Sequence, residues 1–148
     1  MPPANIAQPG KPVSCGTLVI NPRGELLLGH ATGTSHWDIP KGLRDAGESA
    51  LQAARRELLE EMGLTFDAHL FEDIGVFAYR QDKMLHLFKV RAPVSLDRLD
   101  TLRCTSYFPH YRTGKPVPEM DRYCWATRDQ VSQLCAPRMA KQLLALPW

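Results

Sequence analysis

Glu57, Glu60 and Glu61 lie within five positions of one another in a segment whose apolar residues recur at helical spacing. On a helix they occupy adjacent turns and neighbouring arcs of the surface, beside an apolar arc of Leu51, Ala54, Leu58 and Met62. Three carboxylates so placed offer the hard oxygen ligands that magnesium and manganese prefer, without the cysteine or histidine that zinc would favour. A solvated acidic face is the competing reading. Like charges at i,i+3 or i,i+4 cost only about 0.2–0.5 kcal/mol each, so repulsion does not separate the two. Position is more informative, because Glu60 and Glu61 sit in the last turn, where the helix dipole disfavours anions by about 0.3–1 kcal/mol and a lysine or arginine is the usual occupant. A bound cation reverses that penalty.

The elements that must position these acids follow from local pattern. Residues 49–62 read as the helix, with Ser49 and Gln52 in capping-box spacing and Gly63 where a C-terminal cap belongs. Upstream, Val13–Ile20 and residues 25–29 are β-prone runs separated by the turn residues Asn21, Pro22, Arg23 and Gly24, which predicts a hairpin. Residues 32–47 carry four glycines or prolines and read as a long loop, a length usually associated with function. Strands are expected over residues 70–79, 84–90 and 121–126, giving a sheet of at least five. Thr127 and Gln130 repeat the capping-box pattern, and Pro137 can begin a last helix reaching residue 146. The chain is thus of mixed α and β character, with a lead-in over residues 1–12 and one domain over residues 13–148.

Gly42, Glu48, Arg56, Glu57, Leu58, Glu60, Glu61, Gly63 and Leu64 together match every fixed position of G-x5-E-x7-R-E-U-x-E-E-x-G-U, where U is aliphatic. This run resembles the Nudix box. The resemblance implies an α/β/α sandwich around a central mixed β-sheet, with a loop-helix-loop holding Mg²⁺ or Mn²⁺. It also implies hydrolysis of a phosphate anhydride in a substrate built on a nucleoside diphosphate linked to another group. Glu57 and Glu61 would then be the main metal ligands, with Glu60 a further ligand or the base that positions water. Arg56 and Glu48 would orient Glu57 and hold the loop against the helix, Gly42 would permit a close backbone approach, and the carbonyl of Lys41 would join the metal shell. Chemistry agrees with this set: an anhydride has an anionic leaving group, so it needs charge neutralisation, an aligned water and a base, and no covalent nucleophile. Ser35, His30 and His36 near the loop leave a nucleophilic alternative open.

Outside the box, His36-Trp37-Asp38-Ile39-Pro40-Lys41-Gly42 is similar to the HWxxPKG run of Nudix enzymes that hydrolyse dinucleoside polyphosphates. It nominates Lys41 and Arg44 for polyphosphate contact and Trp37 for a place near the site, against the alternative that Trp37 and Pro40 pack the loop on the sheet. The family often borrows one more acid from a later loop, for which Glu119 and Asp121 are the candidates. Tyr79, Arg80, Tyr107, Phe108 and Tyr111 suit a base pocket or, equally, a core cluster and a sheet edge.

Composition bounds the partners. With 148 residues and 44% hydrophobic content the chain can build one core without staples, and a net charge of +2 lacks the strong basic balance of nucleic-acid binding. A small nucleotide or polyphosphate is the expected partner. Removal of pyrophosphate from RNA 5′ ends is the alternative activity, and a nucleotide-sensing module without turnover the alternative class; the modest charge argues against the first and the intact acidic cluster against the second. No run approaches the roughly 18 apolar residues of a membrane span. The four cysteines form no CxxC pair and read as reduced thiols in a cytoplasmic protein, buried as small hydrophobes. A zinc site or disulfide from Cys104, Cys124, His86 and His110 lacks ligand spacing.

Overall fold

Val13–Ile20 forms strand β1 of the computed structural model, which describes residues 11–148. Successive side chains of a strand point to opposite faces, and both faces of β1 are covered: Leu18 and Ile20 enter one core cluster and Val19 another. That is why the run is apolar without alternation. Strand β2 (Leu26–Ala31) divides the same way, with Leu26 and Leu28 on one side and Leu27 on the other. Helix α1 (Ala50–Met62) covers the Val19 and Leu27 side with Leu58 and Met62, and packs Ala53 and Ala54 near Cys15 and Phe88. Helices α2 (Arg128–Leu134) and α3 (Pro137–Leu144) cover the opposite side with Val131, Met139, Ala140 and Leu143. The architecture is an α/β/α sandwich.

The remaining strands are β3 (Trp37–Asp38), β4 (Lys41–Leu43), β5 (Glu72–Arg80), β6 (Lys83–Arg91), β7 (Tyr107–Pro109), β8 (Pro116–Pro118) and β9 (Met120–Ala126). All but β7 and β8 join one seven-stranded mixed sheet; those two form a separate antiparallel pair. β1 runs parallel to β6 along its whole length, β5 pairs with β6, and β9 lines β2. The expected hairpin between β1 and β2 closes at a single pair, Ile20 with Leu26. Residues 37–43 then bond to both strands: Trp37 and Asp38 pair with His30 and Gly29 of β2, and Lys41, Gly42 and Leu43 pair with Gly16, Cys15 and Ser14 of β1.

The expectation of a loop over residues 32–47 is therefore corrected. Its glycines and prolines do break local pattern, but β3 and β4 need little propensity of their own, because β1 and β2 supply their hydrogen-bond partners. The later loop expected to carry Glu119 and Asp121 likewise contains β8, and Asp121 already belongs to β9. α3 stops at Leu144, two residues short of the expectation. Pro12, inside the expected lead-in, accepts a hydrogen bond from the Met84 amide at 3.0 Å, while residues 1–10 lie outside the described residues. Among the described residues no helix is long and apolar enough to cross a membrane.

Both ends of α1 are closed. The Ser49 hydroxyl accepts from the Gln52 amide at 3.1 Å, and the Gln52 side chain accepts from the Ser49 amide at 2.8 Å. Gly63 takes φ 71°, a left-handed conformation that suits glycine, and its amide donates to the Leu59 carbonyl at 2.9 Å. Three further carbonyls of the last turns are satisfied from distant chain: Arg103 N donates to Met62 O at 3.1 Å, Thr105 N to Glu60 O at 2.6 Å, and the Tyr123 hydroxyl to Glu61 O at 2.5 Å. The acid-bearing end of the helix is thereby tied to the 103–105 segment and to β9. Removing the N-terminal cap with Ser49→Ala is expected to cost about 1 kcal/mol, read as a melting midpoint lowered by roughly 2–4 °C in a domain of this size.

Candidate active site

Glu57 and Glu61 are four residues apart, so they project from nearly the same side of α1, and that side faces β4. Both are buried, at 8% and 4% exposure, an uncommon place for a glutamate side chain. This excludes a solvated acidic face for these two. Glu60, on the other flank, is partly exposed. The two buried carboxyl groups lie side by side, and Glu61 accepts from the Lys41 backbone amide at 3.0 Å. Burial above all, then the adjacent Glu57 and the charge of Glu119, pushes the Glu61 carboxyl up to about 10. In the absence of a cation a proton is what lets the pair coexist.

A stability signature follows for the metal-free chain. From the ordinary Glu61 value of 4.5 up to about 10, the folded state retains a proton that the unfolded state releases. Stability then falls as pH rises through that window. Thermal melting across the window is expected to show this decline, with the decline reduced in Glu61→Gln; an identical pH profile in the variant would contradict it.

Arg56 knits the loop to the helix. Its Nε and Nη2 donate to the two oxygens of Glu48 at 2.8 and 3.0 Å, Nη1 donates to Glu57 Oε1 at 2.8 Å and to Glu60 at 3.3 Å, and Nη2 also reaches the Leu43 carbonyl at 3.0 Å. These partners, led by Glu48, hold the guanidinium firmly charged, and Arg56 in turn holds Glu48 below the usual carboxylate range. Glu48 additionally accepts from the Asp45 amide at 2.8 Å, closing the loop on itself. Gly42 sits directly against the Glu57 carboxylate, so that a Cβ at this position would overlap it. A side chain here would force the Glu57 carboxyl to move.

The other nominated residues are distributed unevenly. The ammonium of Lys41 pairs with Asp38, and its pKa is raised even though burial opposes the charge, because Asp38 outweighs it together with lesser neighbours. Arg44 is exposed and lines a hollow of about 350 Å³ with Lys11, Pro12, Val13 and Leu43. Trp37 packs on the core, edge-on to His30 at 5.3 Å and beneath Arg122 at 5.5 Å. Glu119 lies where β8 meets β9, with its charge felt at Glu61; its amide donates to Ser106 O at 2.8 Å and its carbonyl accepts from Thr32 N at 3.1 Å. Asp121 is engaged elsewhere, bonding His30 Nδ1 at 2.6 Å, while His30 Nε2 meets the Thr34 carbonyl at 2.8 Å. Ser35 and His36 are exposed.

The aromatic set splits. Tyr79 belongs to the core with Arg80 over its ring, whereas Tyr107, Phe108 and Tyr111 are exposed. The cysteines are all free thiols; burial pushes Cys15 up to about 11 and Cys135 up to about 12, so both behave as neutral apolar groups. Among the described residues no three His, Cys, Asp or Glu side chains already form a metal-ligating group, and this holds for Glu57, Glu60 and Glu61 as it does for Cys104, Cys124, His86 and His110. Tyr123, Thr105 and Asp38 were not singled out by sequence, since nothing local to them signals a contact with the helix end or with Lys41.

The profile of the NUDIX domain matches residues 10–146. The chain belongs to the Nudix family. It is a Nudix-type hydrolase acting on phosphate anhydrides, and residues 42–64 are its Nudix box. An uncharacterized 17.7 kDa protein of Enterobacteria phage T4 is 37% identical over 138 residues, 87% of this chain and 91% of the phage protein. The RNA pyrophosphohydrolase of Photobacterium profundum is 31% identical over 127 residues, 76% of this chain and 67% of that protein. Among solved structures, a C. elegans Ap4A hydrolase binary complex shares the Nudix fold with a TM-score of 0.56 at 20% identity, covering 89% of this chain and 90% of the other.

Proposed function

We propose that this chain is a divalent-metal-dependent pyrophosphohydrolase that cleaves an anhydride bond within a small nucleoside polyphosphate or another nucleoside diphosphate-linked substrate. The observation that carries the reading is the buried Glu57–Glu61 pair at the negative end of α1, pressed against Gly42 and braced by Arg56. The donor set fits a hard cation: two buried carboxylates that otherwise need a proton between them, with Glu60 and the Lys41 carbonyl as further oxygen donors. Mg²⁺ or Mn²⁺ held there supplies charge neutralisation for the phosphate oxygens and a more acidic water.

The chain's own groups do the rest. Arg56 holds the Glu57 carboxyl in place, and its bidentate grip on Glu48 stops the loop from drifting off the helix. The Lys41 amide fixes the Glu61 carboxyl. Glu60, less buried and only loosely held by Arg56, is free to accept the proton of the attacking water, and Glu119 adds a further acid whose charge reaches Glu61. Water adds to phosphorus as the anhydride P–O bond breaks, and the leaving phosphate departs as an anion, so no covalent enzyme intermediate is needed.

The test is turnover with Mg²⁺ or Mn²⁺ on dinucleoside polyphosphates, nucleoside triphosphates, nucleotide sugars, ADP-ribose, NADH and 5′-triphosphorylated RNA, with products located by reaction in ¹⁸O water. Cleavage of a small nucleotide supports the proposal; inactivity on the whole panel overturns it. A second reading, release of pyrophosphate from RNA 5′ ends, is favoured by the similarity to the P. profundum enzyme. Activity confined to the RNA substrate would select it.

A further inference from the structure

The exposed large hydrophobic side chains of the described residues are Leu43, Leu59, Leu70, Val94, Tyr107, Phe108 and Tyr111, and every aromatic among them lies on or at the tip of the β7–β8 hairpin. Tyr111 is 83% exposed and Tyr107 57%, which is unusual for rings that normally bury their area. The same segment is one-sided in charge: residues 101–118 contain no Asp or Glu but carry Arg103, His110, Arg112 and Lys115. At the tip, His110 stacks on Tyr111 at 5.0 Å and the Arg112 guanidinium lies 5.3 Å from the Tyr111 ring. Tyr107, Phe108, Pro109, Gly114 and Pro116 line a hollow of about 190 Å³.

The root of this hairpin is fastened to the carboxylate end of α1. Thr105 donates to the Glu60 carbonyl, Ser106 accepts from the Glu119 amide, and Tyr107 pairs with Pro118, one residue before Glu119. Pro109 and Pro116 face each other across the ladder, and the Lys115 carbonyl accepts from the His110 amide at 2.8 Å, so the arm is stiffened before any ligand arrives. A three-residue strand extends it roughly 10 Å from that root.

We infer that the β7–β8 hairpin is the nucleobase-recognition arm of this site: the base of a nucleotide stacks on Tyr107 or Tyr111 while its phosphates lie at Glu57 and Glu61. This rests on the pyrophosphohydrolase reading above and deepens it by assigning the substrate's base a platform. Stacking is tolerant of base identity, because every base presents a π-face. The basic side chains match the anionic phosphates, and the lack of acids along the arm removes repulsion.

Equilibrium binding of ADP and of inorganic pyrophosphate, both with Mg²⁺, separates base from phosphate. Tyr107→Ala and Tyr111→Ala are prepared alongside Tyr107→Phe and Tyr111→Phe. At least one alanine variant is expected to weaken ADP about tenfold or more, with wild-type pyrophosphate affinity and recovery in the phenylalanine variant. Unchanged ADP affinity in both alanine variants, or equal weakening of ADP and pyrophosphate, overturns the inference while leaving the hydrolase reading intact. Weakening confined to single-stranded RNA, or a dimer in sedimentation that Tyr111→Ala dissolves, also overturns it. A wild-type chain that binds neither probe and cleaves nothing overturns both readings.

Discussion

Glu57→Gln is expected to lower kcat by about 10²- to 10³-fold, the loss typical when one preorganised electrostatic partner of a transition state is removed, while the metal-free protein melts no lower than the parent. The two effects have one cause. Glu57 and Glu61 are buried against each other, and burial, followed by the adjacent Glu57, pushes the Glu61 carboxyl up to about 10. Glutamine keeps an oxygen for the 2.8 Å bond from Arg56 and adds an N–H that can donate to Glu61, so the metal-free pair relaxes. It also deletes an anionic donor from the cation site. The stabilisation that Mg²⁺ confers on the parent should therefore shrink in the variant. Turnover and melting with and without Mg²⁺ measure all three quantities. Near-parental turnover with an undiminished Mg²⁺ shift would defeat the assignment of this pair.

Arg56→Lys is expected to destabilise the fold by about 2–4 kcal/mol, in the range for breaking a partly buried ion pair, and to reduce kcat/KM by about 10–100-fold, as loss of partners behind metal ligands does. The substitution keeps the charge. What it loses is the planar fork that contacts Glu48 twice, Glu57, Glu60 and the Leu43 carbonyl at once. An ammonium has three donors and no plane, so the loop or Glu57 must be released. A purely structural role would lower stability alone. A positioning role also raises the Mg²⁺ concentration needed for half-maximal rate, and saturating Mg²⁺ should restore part of kcat. Chemical denaturation gives the first quantity and a Mg²⁺ titration of the rate the second; an unchanged Mg²⁺ requirement would mean that Arg56 does not position Glu57.

The secure elements in the sequence were those whose signals are local. The capping boxes at Ser49 and Thr127 and the glycine at position 63 mark helix ends through contacts three or four residues long, and each is found where expected. β5 and β6 were also readable, because two runs rich in apolar residues flank the polar residues 80–83. β3 and β4 were not readable. Their hydrogen-bond partners lie on β1 and β2, far off in sequence, and their own composition resembles a loop.

The same division runs through the site. The spacing of the box, with Glu57 and Glu61 one helical turn apart, Arg56 beside them and Gly42 and Glu48 upstream, is a one-dimensional pattern, and it was enough to place the chain among the Nudix hydrolases. Helical projection grouped Glu60 with the other two glutamates. Packing separated them, because Glu57 and Glu61 lie on the part of α1 that is buried against the sheet while Glu60 does not. Likewise Tyr79 and Tyr111 are the same residue type, each followed by an arginine, yet one is core and the other is 83% exposed. Residue type and spacing determine what a side chain can do, since both are local. Burial, partner and charge environment depend on which distant segments the sheet brings alongside, and only the folded chain decides them.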